Sequence, residues 1–282
     1  MTQIAHVTES RITASEKVIY TAKAHTAGSP GGPSMTKLAL ATTSRCLFFG
    51  LLVFTPSAAP SAWAQTRPPI LEKMAKTYGL DSWDQIQAIR YTWNLQLGAL
   101  NISRSWEWEP KTGKVSYEGK DKDGKPVKAT YLRSELGSQP DTVKNEIDPA
   151  FINDNYTLLF PLKAYWDGSA TVIDQGMYNL PVGNGSAELV AVKYPAESGG
   201  YTPGDTWELY VGKDNRAEYL VYHRGGTKKP SILFATWGGH KKAGPLLFST
   251  DHRGNADGKP IRVFFSDVSV KVTGSDTWVN AK

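Results

Sequence analysis

The sequence predicts a mostly β chain, in which a curved antiparallel sheet of about eleven strands forms an open or half-closed barrel accompanied by short helices. Three observations carry this. Short runs alternate apolar and polar side chains with period two, the pattern of strands buried on one face. Turns rich in Gly, Asp, Asn and Lys separate those runs, so the order is a meander and not a βαβ series. A sheet of that many strands must curl or close to hide its apolar face.

Ahead of the sheet lies a segment of different composition. Residues 1–34 are rich in Thr, Ala, Ser and Gly and show no apolar period, which predicts a non-native or disordered N-terminal extension. Met35 opens a second start: Lys37 and Arg45 are basic, the apolar run Cys46–Phe54 follows, and Ala62-Trp63-Ala64 precedes Gln65. This tripartite pattern predicts a signal peptide over 35–64, cleaved between Ala64 and Gln65, with a retained membrane anchor as the alternative. The apolar run is short for a span, and Cys46 stands at its start, where lipidation is not expected. Residues 65–282 are then one domain, expected in the periplasm, with secretion as the alternative. Residues 1–64 hold five Lys/Arg and two Asp/Glu, leaving 27 of the chain's 32 basic and 25 of its 27 acidic side chains. That near balance gives no reason to expect nucleic acid as a partner. The only Cys lies in the leader, so stability must come from packing rather than disulfides.

The elements follow in order. Ile70, Leu71, Met74, Ala75 and Tyr78 share one face of a short helix after Pro68-Pro69, and Gly79 is placed to end it. Ser82 with Gln85 reads as a capping box for a second turn. From Ile89 the period becomes two: Ile89, Tyr91, Trp93, Leu95 and Leu97 form one face of a strand, and Ile102, Arg104, Trp106 and Trp108 form the next. Strands over 114–118 and 127–132 complete a first meander around the polar turn at Lys120–Lys125. The pattern breaks over about 138–167, where Asp148-Pro149 reads as the N-cap and first residue of a short helix. Strands resume over 189–194, 206–211, 217–223, 231–237, 246–250, 261–265 and 268–272.

Certain phrases in this order carry a resemblance. They are Trp83-Asp84-Gln85-Ile86-Gln87-Ala88-Ile89-Arg90-Tyr91-Thr92-Trp93, Tyr156-Thr157-Leu158-Leu159-Phe160-Pro161-Leu162-Lys163, Gly199-Gly200-Tyr201-Thr202-Pro203-Gly204-Asp205 and Phe265-Ser266-Asp267-Val268. With them the chain resembles the LolA/LolB-like superfamily of bacterial lipoprotein carriers, and within it an outer-membrane lipoprotein-sorting-like branch. The resemblance implies an incomplete antiparallel barrel around a hydrophobic cavity, with the helix at 70–78 and the segment at 148–162 as its plug. It also implies a non-catalytic carrier, without cofactor, for a hydrophobic small molecule or a lipidated protein, in transient contact with membranes.

The residues offer these candidates. Phe151, Ile152, Tyr156, Leu158, Leu159, Phe160, Leu162 and Trp166 make an unusually apolar insertion, either a lid over a lipid site or ordinary core. Trp93, Trp106, Trp207 and Trp237 lie on four strands and either line the cavity or fill it. Tyr201 belongs to a Gly-rich stretch that lacks the Lys and the strand–loop–helix context of a phosphate loop, and reads as a turn. Asp121-Lys122-Asp123-Gly124 lacks the further ligands of a calcium loop and reads as a hairpin. His223, His240 and His252 have no metal-ligand spacing. No G-x-S-x-G elbow occurs, and Glu107 with Glu109 is an ordinary exposed pair. Two other classes stay open: an envelope hydrolase or isomerase with polar residues at the barrel mouth, and a structural or interaction module.

Overall fold

The computed structural model describes residues 67–121, 123–196, 203–226, 229 and 231–282. The expected extension over 1–34, the signal peptide over 35–64 with its cleavage point at Ala64 and Gln65, and Tyr201 lie outside the described residues.

Helix α1 (Pro69–Thr77) buries Ile70, Leu71, Met74 and Ala75, the face set by the apolar spacing. Its first residue is a proline, which loses nothing where the N–H has no helical partner. Gly79 ends it in a left-handed conformation (φ 104°). A Cβ there would stand 2.6 Å from Leu246 Cδ2 and 2.8 Å from the Pro245 carbonyl, so both the turn and the close approach need glycine. The capping box expected at Ser82 and Gln85 does not form. The following 3₁₀ turn runs from Leu80 to Gln85 without a side-chain cap. Gly79 has already turned the chain, which puts Ser82 inside the turn, its backbone N–H donated to the Gly79 carbonyl at 3.1 Å.

The strands are β1 (Ile86–Leu97), β2 (Leu100–Glu109), β3 (Lys114–Lys120), β4 (Pro126–Leu132), β5 (Thr171–Asn179), β6 (Ser186–Lys193), β7 (Thr206–Val211), β8 (Ala217–Arg224), β9 (Ser231–Thr236), β10 (Gly238–Ala243), β11 (Leu246–Ala256), β12 (Lys259–Val272) and β13 (Trp278–Asn280). They form one antiparallel sheet in the order β4-β3-β2-β1-β12-β11-β9-β8-β7-β6-β5, with β10 also on β11 and β13 on β12. The sheet does not close, because β4 and β5 are its two free edges. Thirteen strands stand among the described residues where about eleven were expected. The two strands expected over 261–265 and 268–272 are one, β12, whose register against β1 shifts by a bulge next to Asp267 at φ 54°. Three more carry no clear alternation. β5 is an edge strand interrupted by a bulge around Gly176, β10 reads Gly-Gly-His-Lys-Lys-Ala, and β13 has only three residues. Backbone pairing to a better-patterned neighbour makes each of them, and that pairing leaves little mark on composition.

The expected short helix at Asp148 is instead α2 (Asp148–Trp166), 19 residues long and entered through a π turn, Val143–Ile147. Asp148 does not cap it, since the N-cap is Ile147 and no side chain caps the end. Leu159 departs from helical geometry (φ −110°, ψ 17°) two residues before Pro161, where the chain kinks. The helix is apolar around most of its circumference, because it is enclosed: Phe151, Tyr156, Leu158, Leu159, Phe160 and Leu162 are all buried. Its aromatic side chains reach both halves of the sheet. Phe151 meets Trp106 of β2 at 5.4 Å, while Phe160 meets Trp207 of β7 at 4.8 Å and Trp237, beside β10, at 6.4 Å. The main core thus joins both helices to the inner face of the sheet. A small second cluster, Ala187, Leu189, Tyr210 and Val221, is separate from it. Among the described residues no helix is long and apolar enough to cross a membrane.

Candidate ligand-binding cleft

The sequence candidates assemble around α2. Trp93, Trp106, Trp237, Phe151, Ile152, Tyr156, Leu158, Leu159, Phe160 and Leu162 are buried in the main core, and Trp166 and Trp207 pack against it. Trp166 lies 4.6 Å from Trp83, which in turn meets Trp108 at 6.1 Å. Tyr156 and Phe160 share the Trp207 ring, and Trp207 packs on Tyr222 at 4.6 Å. Over the middle of the inner face these side chains therefore occupy each other's space.

Open space lies beside them. A cleft of about 830 Å³ runs between the β1–β4 end of the sheet and the start of α2. Its aliphatic lining comes from Leu95, Leu100, Ile102 and Val127 of the strands and from Ile147 and Ala150 on the helix side, and Asn94, Gln96 and Ser103 of the strands add polar side chains. Leu95 faces Ile102 across the β1–β2 pair and Leu97 faces Leu100, so the two-residue period of both strands lays one aliphatic stripe along the wall. The π turn places Ile147 and Glu146 on the opposite side, and inserted turns of this kind recur at functional sites. Lys120, Asp121 and Gly124 of the β3–β4 hairpin line the cleft as well. That hairpin is the turn the sequence predicts: Asp121 Oδ1 accepts the backbone N–H groups of Asp123 and Lys125, each at 2.9 Å. None of these twelve described sequence candidates lines this cleft.

Arg104 lies deep in it and is almost fully buried. Its guanidinium donates from Nε and from a terminal nitrogen to the two oxygens of Asp154, both at 2.7 Å, and lies 4.1 Å over the Trp93 ring. Trp106 Nε1 and Asn153 Nδ2 donate to the same carboxylate at 2.9 and 3.0 Å. Burial pushes the Asp154 pKa up, and the Arg104 charge with these donors opposes it. A second carboxylate, Asp148, accepts from Tyr131 Oη at 3.0 Å and from Arg133 Nε at 2.9 Å. Arg104–Asp154 thus fastens α2 to β2, and Asp148 fastens its first turn to Tyr131 of β4 and to Arg133 just beyond. Sequence reasoning passed over both anchors. One signal was present: Arg104 stands on the apolar face of its strand with Ile102 and Trp106, and a charge there must find a partner.

His252 and Lys163 stand outside the cleft lining. His252 stacks on Trp237 at 4.0 Å and 19°, and burial lowers its pKa to about 3. Lys163 packs 5.3 Å over Trp108, and burial with the nearby Arg133 charge lowers its pKa to about 8. Among the described residues no three of His, Cys, Asp or Glu are grouped to hold a metal ion.

An open antiparallel half-barrel wrapped on a helix, with an aliphatic cleft at one end, is the class that this fold and site define. No family model matches the chain, and no curated protein matches it. Among solved structures it is similar to a DUF1329 family protein from Desulfovibrio piger, with 14% identity and a TM-score of 0.42 over 75% of this chain and 96% of that one. It is also similar to the lipoprotein LppX of Mycobacterium tuberculosis (11% identity, TM-score 0.26, 72% of this chain and 96% of that one). A third is LprF from Mycobacterium bovis (10% identity, TM-score 0.27, 75% of this chain and 97% of that one).

Proposed function

We propose that this chain is an exported, non-catalytic binding protein that carries a hydrophobic, chain-like ligand in its end cleft. The observation that carries the reading is the cleft itself: about 830 Å³ with aliphatic walls and charged groups confined to its mouth and to one closed ion pair. Sites for small ligands span about 300–1,000 Å³ and are mostly apolar with a few polar groups. Each methylene taken from water contributes about 0.8 kcal/mol, so an acyl chain supplies ample affinity without any chemistry. Export rests on the tripartite sequence over 35–64, and the LolA/LolB-like phrases point to the same kind of carrier. The twelve aromatic and aliphatic candidates act in this proposal as the support of the cleft, holding α2 in place while Ile147 and Ala150 face the ligand.

The full chain, expressed with its own N-terminal segment in a bacterial host and purified from the soluble envelope fraction, tests this by native mass spectrometry with solvent extraction. A co-purifying acyl lipid in the natural protein, lost in Ile102→Trp, is the expected result, because the indole fills the cleft from a partly exposed position. A lipid retained in Ile102→Trp at natural occupancy would remove the cleft as its site.

A further inference from the structure

The mouth of the cleft carries a charge pattern that the aliphatic walls leave unexplained. Lys120, the last residue of β3, and Glu146, in the π turn, both line the cleft and are both exposed. Neither makes an ion pair or a side-chain hydrogen bond among the described residues, although ion pairs form elsewhere on this surface, such as Lys128–Glu118 at 2.9 Å. Asp121 adds a second carboxylate beside Lys120, with Oδ1 held by backbone N–H groups. Neutral hydrogen-bonding side chains, Asn101, Thr142 and Asn145, stand at the same rim. Opposite charges that line one opening without pairing leave two separate points for a ligand that itself carries both signs.

The inner end has the opposite character. The Arg104 guanidinium there is bonded bidentately to Asp154, and the pair is buried. An anionic head that entered first would have to part that pair inside a low-dielectric core and leave buried charges without partners. The apolar tail is therefore the end that goes in, and the head stays at the mouth. Size bounds the ligand further, since about 830 Å³ lies within the range of sites that hold one small ligand, and a single-chain amphiphile is the simplest occupant of that size.

We propose that the cleft selects a single-chain amphiphile with a zwitterionic head, its cationic group against Glu146 and its phosphate against Lys120. This rests on the hydrophobic-ligand reading above and adds the head-group class to it. Calorimetric titration of the full chain with three C16 amphiphiles below their micelle concentrations tests it: a lysophosphatidylethanolamine, a lysophosphatidylglycerol and an alkyltrimethylammonium. The zwitterion is expected to bind tightest. Glu146→Lys should weaken it about three- to fivefold and strengthen the anionic lipid. Lys120→Glu should also weaken the zwitterion, and it should strengthen the cationic amphiphile. Exposed charge pairs have effects of this size. The double exchange Lys120→Glu/Glu146→Lys should restore the zwitterion to within about twofold. All three heads binding alike, or a ranking that neither reversal moves, would overturn the head-group proposal and leave the acyl-chain reading standing. No binding of any of the three would overturn both.

Discussion

His252 shows how a group that looks catalytic in composition is spent on packing. Its ring lies flat on Trp237 and edge-on to Phe265 at 5.8 Å, and it is fully buried. Ser249 Oγ donates to the Gly238 carbonyl at 2.7 Å, so the His252 Nε2–H donates to Ser249 Oγ at 3.0 Å. The imidazole is then neutral, and a proton on Nδ1 would be a desolvated charge. Its pKa is about 3 in the fold against about 6.5 in the unfolded chain. Between those values the unfolded chain holds a proton that the folded one does not, so stability is lost as the pH falls from 6.5 toward 3. At pH 5 this residue alone should have cost about 2 kcal/mol relative to pH 7. His240, half-buried and donating to or accepting from Tyr78 Oη at 2.8 Å, also has a lowered pKa and adds in the same direction. His252→Phe keeps a flat ring on Trp237 and removes the titration. Urea unfolding at pH 7 and pH 5 should show the gap between the two midpoints shrinking in the variant. An unchanged gap would mean that His252 is reached by water and charges in place.

At the scale of elements, the sheet was legible wherever one face is buried and the other wet. β1 and β2 alternate almost residue by residue, and their pairing from Ile89↔Trp108 to Leu97↔Leu100 keeps the apolar stripes together. β5 and β10 were not legible, because an edge with a bulge and a Gly-Gly-His-Lys-Lys segment take their structure from the neighbour's backbone. The residues of α2 read as an apolar insertion and not as a long helix, for two reasons. It is buried around most of its surface, which erases the 3.6-residue stripe, and Pro161 sits where a helix would be expected to stop. Two carboxylates hold it to the sheet, and the Arg104–Asp154 link is the more deeply buried. Asp154→Asn keeps the shape but leaves the Arg104 charge uncompensated, so the loss should be about 3–5 kcal/mol. Arg104→Leu with Asp154→Leu removes both charges and should recover most of that loss. Denaturant midpoints read both. A fall of less than about 1 kcal/mol in the single variant would show that α2 is held by Asp148 and its aromatic contacts, without the Arg104–Asp154 pair.

At the scale of the molecule, one inner face is divided between packing and space. The aromatic residues that mark a lipid site by composition, Trp106, Tyr156, Phe160, Trp207 and Trp237, fill its centre, while the hollow falls where smaller aliphatic residues meet the π turn. Composition picks out large side chains, but a cavity is made by the absence of volume. Leu95, Ile102, Val127, Ile147 and Ala150 gave no signal of their own, since each is an ordinary core residue until the curvature of the sheet fails to close over it. The same division sets a limit on the ligand. A tail entering from the mouth gains about 0.8 kcal/mol per methylene, or about fourfold in affinity, for as long as the new methylene finds aliphatic wall. Past that length it meets Arg104–Asp154 and the packed centre of the face, and the gain should stop. In a series of alkyl chains from C8 to C18 on one fixed head group, affinity should rise by about that factor per methylene and then level off. Val127→Trp shortens the free wall without adding charge, so in that variant the plateau should arrive at a shorter chain. An affinity that does not change with chain length, or a plateau that Val127→Trp leaves in place, would mean that the tail is not buried in this cleft.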